Sequence, residues 1–152
     1  MKRISSFFLS MICILGLGIL APPIALGAGH SGPVIIGVPT SLGYPPGKEA
    51  LNSVIMAVEE INAKGGVKVG STKRKLKVES ADIRDAAPGV PVPEALLGLE
   101  KIILDKKVHA IVVGPYRSEA LLAGMDLIAK YKVPMIGTIA MSPASEAKIK
   151  KE

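Results

Sequence analysis

Hydrophobic and polar positions alternate along this chain in blocks that switch period. An uncharged apolar run covers 7–20, behind Lys2 and Arg3 and ahead of Pro22, Pro23, Ala25 and Gly27. Positive head, apolar middle and small residues before a cut are the order of a secretory leader, so 1–27 is predicted to be removed and 28–33 to form a short mature tail. An apolar middle of this length is shorter than a bilayer span, and an uncleaved anchor is the rival reading. The β-branched run 34–38 reads as a buried parallel strand. From Lys48 to Ala63 the period becomes helical: Leu51, Val54, Ile55, Val58 and Ile61 share one stripe. Lys64-Gly65-Gly66 is a stop, with glycine supplying a left-handed cap.

The same alternation repeats. Residues 67–74 are predicted as a hairpin-like excursion or loop. A strand follows over 75–81, where Leu76, Val78 and Ser80 alternate with Lys75, Lys77 and Glu79, a pattern that suits a sheet edge. A second helix spans 93–106, opened by Pro93 and Glu94, with Ala95, Leu96, Leu99, Ile102 and Ile103 inward. A third strand over 109–113 leads through Gly114 to Ser118, which is predicted to cap a third helix ending near Tyr131. A fourth strand covers 133–137, and a polar helical stretch 144–152 closes the chain. The pattern is β-α-β-α-β-α-β, and right-handed crossovers then place helices on both faces of a parallel sheet.

Composition narrows the function. The single cysteine, Cys13, lies in the leader, so no disulfide is available and packing alone holds the mature fold. The formal charge of +6 falls to +4 once Lys2 and Arg3 leave. The main basic cluster is Lys73, Arg74, Lys75 and Lys77. With no Trp and only three Tyr and two Phe in the chain, no stacking platform accompanies it, and nucleic acid is not an expected partner. His30 and His109 pair with no cysteine and lack metal-ligand spacing. No G-x-S-x-G, G-x-G-x-x-G or P-loop occurs. Asp82 and Asp85 read as loop or cap residues in preference to cation ligands. No enzyme, metal or cofactor is expected.

Ligands in such sheets gather beyond the carboxyl ends of the strands. The loops 39–47, 82–93, 114–118 and 138–143 should open there together. Ser118, at a helix start, can cap the helix and also help hold an anion. Thr40, Ser41 and Tyr44 are ligand-contact candidates or ordinary turn residues. Tyr116 and Arg117 are candidates to line the same cleft, and Arg117 can equally be a solvated surface residue. Thr138 and Ser142 add hydroxyls.

The order of these segments resembles the first half of branched-chain amino-acid-type periplasmic binding proteins, the substrate-binding components of ABC importers. The matching pieces run from Ile36-Gly-Val-Pro-Thr-Ser-Leu-Gly through Ala57-Val-Glu-Glu-Ile-Asn-Ala-Lys-Gly-Gly, Asp82-Ile-Arg-Asp and Lys107-Val-His-Ala-Ile-Val-Val-Gly-Pro-Tyr. They continue with Ser118-Glu-Ala, Tyr131-Lys-Val-Pro-Met-Ile and Ser142-Pro-Ala, over about 34–146. The resemblance implies a Rossmann-like three-layer α/β fold, helices on both faces of a parallel sheet, as an incomplete first lobe over 34–152. It implies closure of two lobes on a small carboxylate-bearing molecule such as an amino acid or amide, with the carboxylate at Ser118 and further contacts at Ile139 and Met141. Met141 stands where amino-acid binders commonly carry a threonine, which shifts the expected ligand away from a standard aliphatic amino acid. It also implies a periplasmic location, an inner-membrane ABC permease as partner, and a missing second lobe, so that the chain reads as truncated. The alternatives are an extracellular sensory domain of a receptor and a non-functional remnant.

Overall fold

The computed structural model describes residues 32–140 and 142–150; the leader, most of the tail 28–33 and Met141 lie outside the described residues. The chain runs β1 (Val34–Thr40), α1 (Pro45–Ala63), β2 (Val67–Val69), β3 (Thr72–Arg74), β4 (Leu76–Asp82), α2 (Val92–Lys106), β5 (Ala110–Val113), α3 (Ser118–Tyr131), β6 (Met135–Gly137) and α4 (Pro143–Ile149). Four parallel strands form one sheet in the order β4-β1-β5-β6, with helices on both faces, and β2 and β3 form a separate antiparallel hairpin. Every strand of the sheet therefore ends at the same edge.

The strand positions follow from their side chains. The continuous β-branched run of β1 sits at the sheet centre, and the charged alternation of β4 sits at an edge. At that edge the Glu79 carboxylate lies 2.7 Å from the Lys77 ammonium and 3.4 Å from that of Lys106. The hydrogen bond from Lys77, helped by a weaker one from Lys106 and by the charges of both, outweighs desolvation and holds Glu79 below the usual carboxylate range. A carboxyl lowered in the folded state stabilises it above its unfolded value and loses that contribution as pH falls through the folded value. Glu79→Gln is expected to remove this part of the acid-side loss of stability. Urea unfolding of both proteins from neutral pH down through the carboxylate range tests it; parallel curves would refute it.

The main core lies between the sheet and α2 with α3. Leu99, Ile102 and Ile103 of α2 meet Ile128 of α3, Ile111 of β5, and Val108 and Val133 at the strand entrances. Each such fully buried side chain contributes roughly 1.5–3 kcal/mol. Gly124 permits the close approach of the two helices, since a Cβ there would lie 2.9 Å from Leu99 Cδ2. Ala120 and Gly124 thus join Leu121 and Ile128 on the buried face of α3, while Ala129 is exposed. On α1, Val58 is buried as expected but Ile55 is 36% exposed.

The start of α1 differs from the sequence reading. α1 begins at Pro45, inside the stretch read as loop, with prolines in its first turn, where their missing N–H groups cost nothing. It ends as predicted. Gly65 N–H donates to Asn62 O and Gly66 N–H to Ile61 O, the paired bonds of a Schellman cap. The basic cluster beyond has structural work. Lys73 and Lys75 donate to the carbonyls of Lys64 and Asn62 at the end of α1, and Arg74 donates to those of Gly32 and Pro33. His109 is a strand-end residue: its Nδ1 accepts from Ile35 N–H at 3.1 Å and its own N–H donates to Ile35 O, extending the β1–β5 ladder.

Candidate functional site

β1 is the point where the topology divides: the chain leaves it for β4 on one side and returns to β5 on the other. The crevice beyond the carboxyl ends of β1 and β5 is where such a sheet receives ligands. The loops around it are tied by one buried carboxylate. Asp85, fully buried in the loop after β4, accepts from Ser41 Oγ at 2.7 Å and from Arg117 N–H at 2.7 Å. Ser41 Oγ in turn accepts from Ala86 N–H at 2.7 Å. Three loops that are far apart in sequence are thereby fixed against one another. Asp82 supports the arrangement from a more exposed position, accepting from Leu42 N–H at 3.0 Å and Arg84 N–H at 3.1 Å.

The loop or cap reading of Asp82 and Asp85 stands for their hydrogen bonds, but Asp85 is not solvated. A carboxylate lodged in an Ala- and Pro-rich stretch was the available signal of burial. Among the described residues, no group of three or more His, Cys, Asp or Glu is placed to hold a metal ion.

The candidate residues occupy different depths. Thr40 and Ser41 are buried beneath the edge. Thr40 Oγ1 has no hydrogen-bond partner among the described residues, and the Ser41 hydroxyl is committed to Asp85 and Ala86. Tyr44 and Tyr116 are half-buried, their ring centroids 6.2 Å apart and tilted by 39°, so the loops after β1 and β5 meet through aromatic faces. Ser118 is half-buried and is the first helical residue of α3; the cap position belongs to Arg117. The Arg117 guanidinium turns neither to the crevice nor to open solvent: it donates to Val90 O at 3.0 Å, with Nε buried and without a partner among the described residues. Ile139 is half-buried in the loop after β6. Thr138 is exposed beside it, and Ser142 caps α4 by accepting from Ala144 N–H at 3.2 Å. Met141 lies outside the described residues.

The turn that delivers Tyr116 begins one residue before the glycine the sequence singles out. Val113 has φ 79° and Gly114 φ 74°. A buried β-branched residue in the left-handed region costs about 1–3 kcal/mol. Neither turn residue can move freely, because Val113 is 2% exposed and a Cβ on Gly114 would meet Met135 Sδ at 3.0 Å. A concavity of about 420 Å³, lined by Met125, Ile128, Val133 and Met135 among others, lies on the flank of α3 and β6, away from the strand-end loops. The crevice itself is an open face between loops.

An α/β lobe with a crevice at its carboxyl edge is thus defined, and comparison with known proteins finds the same fold. The branched-chain amino acid transporter substrate-binding protein LivJ of Streptococcus pneumoniae, solved with isoleucine, matches with a TM-score of 0.58 and 25% identity over 73% of this chain and 30% of its own. A putative branched-chain amino acid ABC transporter protein of Silicibacter pomeroyi matches with a TM-score of 0.64 and 22% identity, over 79% and 28% of the two chains. A third, from Rhodopseudomonas palustris, gives 0.56 and 18% over 72% and 28%. The chain spans less than a third of the length of these three structures. No family model matches, and no curated protein matches. The architecture is that of a single first lobe of a periplasmic-binding-protein-like fold.

Proposed function

We propose that this chain is the first lobe of an extracytoplasmic solute-binding protein serving an ABC importer, and that it binds a small carboxylate-bearing molecule such as an amino acid or amide without covalent chemistry. In this reading 1–27 is a cleaved leader, 28–33 a tail and 34–152 the lobe. The observation that carries it is the Asp85 tie, which joins the β1 loop to the start of α3 and so gathers Tyr44, Tyr116 and Ser118 around one crevice. The likeness to LivJ, solved with isoleucine, supports it.

The ligand carboxylate lies against the first turn of α3, where amide N–H groups lack intrahelical acceptors and the helix dipole favours negative charge. The Ser118 hydroxyl donates to it. Tyr44 and Tyr116 wall the crevice, Ile139 lines its far side, and Thr40 and Ser41 hold the floor. A thioether at Met141 is a poor partner for an ammonium group, which favours amides and other organic acids over a standard aliphatic amino acid. A second lobe completes the enclosure, and a membrane permease receives the ligand.

Calorimetric titration of the full-length protein with L-isoleucine, primary amides and aromatic carboxylates tests the reading. One of these classes is expected to bind, and Ser118→Ala is expected to weaken it by about 1–3 kcal/mol, the value of a charge-assisted hydrogen bond. Unchanged affinity would remove Ser118 from the site. Absence of binding by all three classes would defeat the proposal.

A further inference from the structure

Among the described residues, β4 pairs with β1 on one side and with no strand on the other. Val34 N–H donates to Lys75 O and Ile83 N–H to Thr40 O, which sets the alternation of the ladder. The odd residues of β4 turn their backbone groups to β1, and Leu76, Val78, Ser80 and Asp82 turn theirs outward. A row of outward N–H and C=O groups is a template for another strand. One of these positions is already taken by a side chain. Asn62, in the last turn of α1, donates from Nδ2 to Leu76 O at 2.8 Å and accepts from Leu76 N–H at Oδ1, also at 2.8 Å. Its amide makes both bonds that a neighbouring strand would make there. No such partner reaches the outward groups of Val78 or Ser80 among the described residues.

The charges along the edge select a partner. Within one copy the Glu79 carboxylate lies between the ammonium groups of Lys77 and Lys106, which hold it on the α2 face of the edge. A second β4 laid antiparallel, with a two-fold axis through Val78, sets Lys77 of each copy opposite Glu79 of the other. These are the pairs without backbone hydrogen bonds between them, whose side chains come closest. On the other face Val78 meets Val78, and Leu76 meets Ser80. Moving the axis by one residue sets Lys77 on Lys77 or Glu79 on Glu79, and like charges directly opposite are destabilising. Moving it to Leu76 sets Lys75 on Lys77, and moving it to Ser80 opposes no charges at all. Only the Val78 register matches opposite charges without a like pair. In that register the Val78 groups are free to bond each other, whereas the bonds between Leu76 and Ser80 need the groups that Asn62 holds.

We propose that the β4 edge is a docking surface for the same edge of a second copy of this chain, joined antiparallel about Val78, and that Asn62 guards it. The chain stays single at this edge while the amide holds Leu76, and the sheet extends across the two-fold axis when the amide is gone. The Lys/Glu alternation discourages pairing with unrelated strands and is self-complementary in this one register. The inference is independent of what the crevice binds.

Two copies of the full chain carrying different affinity tags are mixed, one is captured, and the amount of the other recovered with it is read. Any association through residues 1–31 is common to all variants and cancels in their ratios. Asn62→Ala is expected to raise co-recovery about tenfold over the parent, since it frees the backbone groups at Leu76 for the second strand. Asn62→Ser, whose hydroxyl cannot span both groups, should do the same and serves if the alanine variant does not fold. In the Asn62→Ala background, Glu79→Lys in both copies should return co-recovery to the parent level, and so should Lys77→Glu in both. Mixing a Glu79→Lys copy with a Lys77→Glu copy should restore it, because opposite charges then face each other again. A rise that survives Glu79→Lys, a mixture that restores nothing, or no rise in a folded Asn62 variant would overturn the proposal. Hydrogen exchange of the parent reads the guard directly: the Leu76 amide should exchange more slowly than those of Val78 and Ser80, and equal rates for the three would also overturn it.

Discussion

Asp85→Ala is expected to destabilise the protein by about 3 kcal/mol or more and to abolish ligand binding in the crevice. Two hydrogen bonds to a charged acceptor disappear, each worth about 1.5–3 kcal/mol. Arg117 N–H and the Ser41 hydroxyl then lose the acceptor around which the loops are arranged. Neither can turn to bulk water without moving its loop, since Ser41 is 1% exposed and Arg117 caps α3. Against a total stability of about 5–15 kcal/mol for a domain, this is a large share. Asp85→Asn separates charge from shape. Its amide oxygen can accept from one donor while its NH2 opposes the other, so an intermediate loss is expected. Asp82→Ala is the comparison, since that carboxylate is exposed and its two donors can be hydrated. Urea unfolding of the four proteins gives the order: parent, Asp82→Ala, Asp85→Asn, Asp85→Ala. A loss below about 1 kcal/mol for Asp85→Ala would mean that the three loops hold together without it.

The architecture was legible because its determinants are local. A β-branched run buried on both faces, a Lys/Glu-alternating edge strand and a Gly-Gly helix stop each announce themselves within a few residues, and β1, β4 and α1 bear this out. The wiring beneath the candidate site was not legible in the same way. Asp85 takes its partners from positions 44 and 32 residues distant, and nothing near it in the chain marks Ser41 or the Arg117 amide as donors. Arg117 shows the same limit. As a basic residue beside a glycine turn it admitted a crevice or a solvent position, and only the packed loop after β4 supplies the Val90 carbonyl that it takes. The start of α1 was misplaced for a different reason: paired prolines signal a loop in isolation but are tolerated in a first helical turn. Side-chain chemistry at the crevice could be named from sequence, whereas the buried polar ties that set its geometry required tertiary contacts.

Gly47→Ala sets two effects of opposite sign against each other. In a solvent-exposed helix the change would stabilise by about 1 kcal/mol, because alanine gives up less backbone freedom than glycine. Gly47 is buried in the first turn of α1, and a Cβ there would lie 2.1 Å from Ser41 O and 2.8 Å from Ser41 C. Those are backbone atoms of the β1 loop, so no rotamer change relieves the overlap. Either the helix start or the loop must shift, at a cost near the upper end of the 1–3 kcal/mol typical of overpacking, about 3 kcal/mol. A net loss of about 2 kcal/mol is therefore expected after the gain in propensity is deducted. Because Ser41 also donates to Asp85, and Tyr44 N–H donates to Ser41 O, the displaced loop carries its disturbance to both crevice residues. Ligand affinity should fall together with stability. Gly43→Ala, three residues after Thr40 and with nothing within 4 Å of its Cβ, should change neither by more than a few tenths of a kcal/mol. Thermal unfolding and titration of the two variants separate the cases. A Gly47→Ala protein more stable than the parent would show that α1 does not approach the β1 loop this closely, and the crevice built on that approach would have to be redrawn.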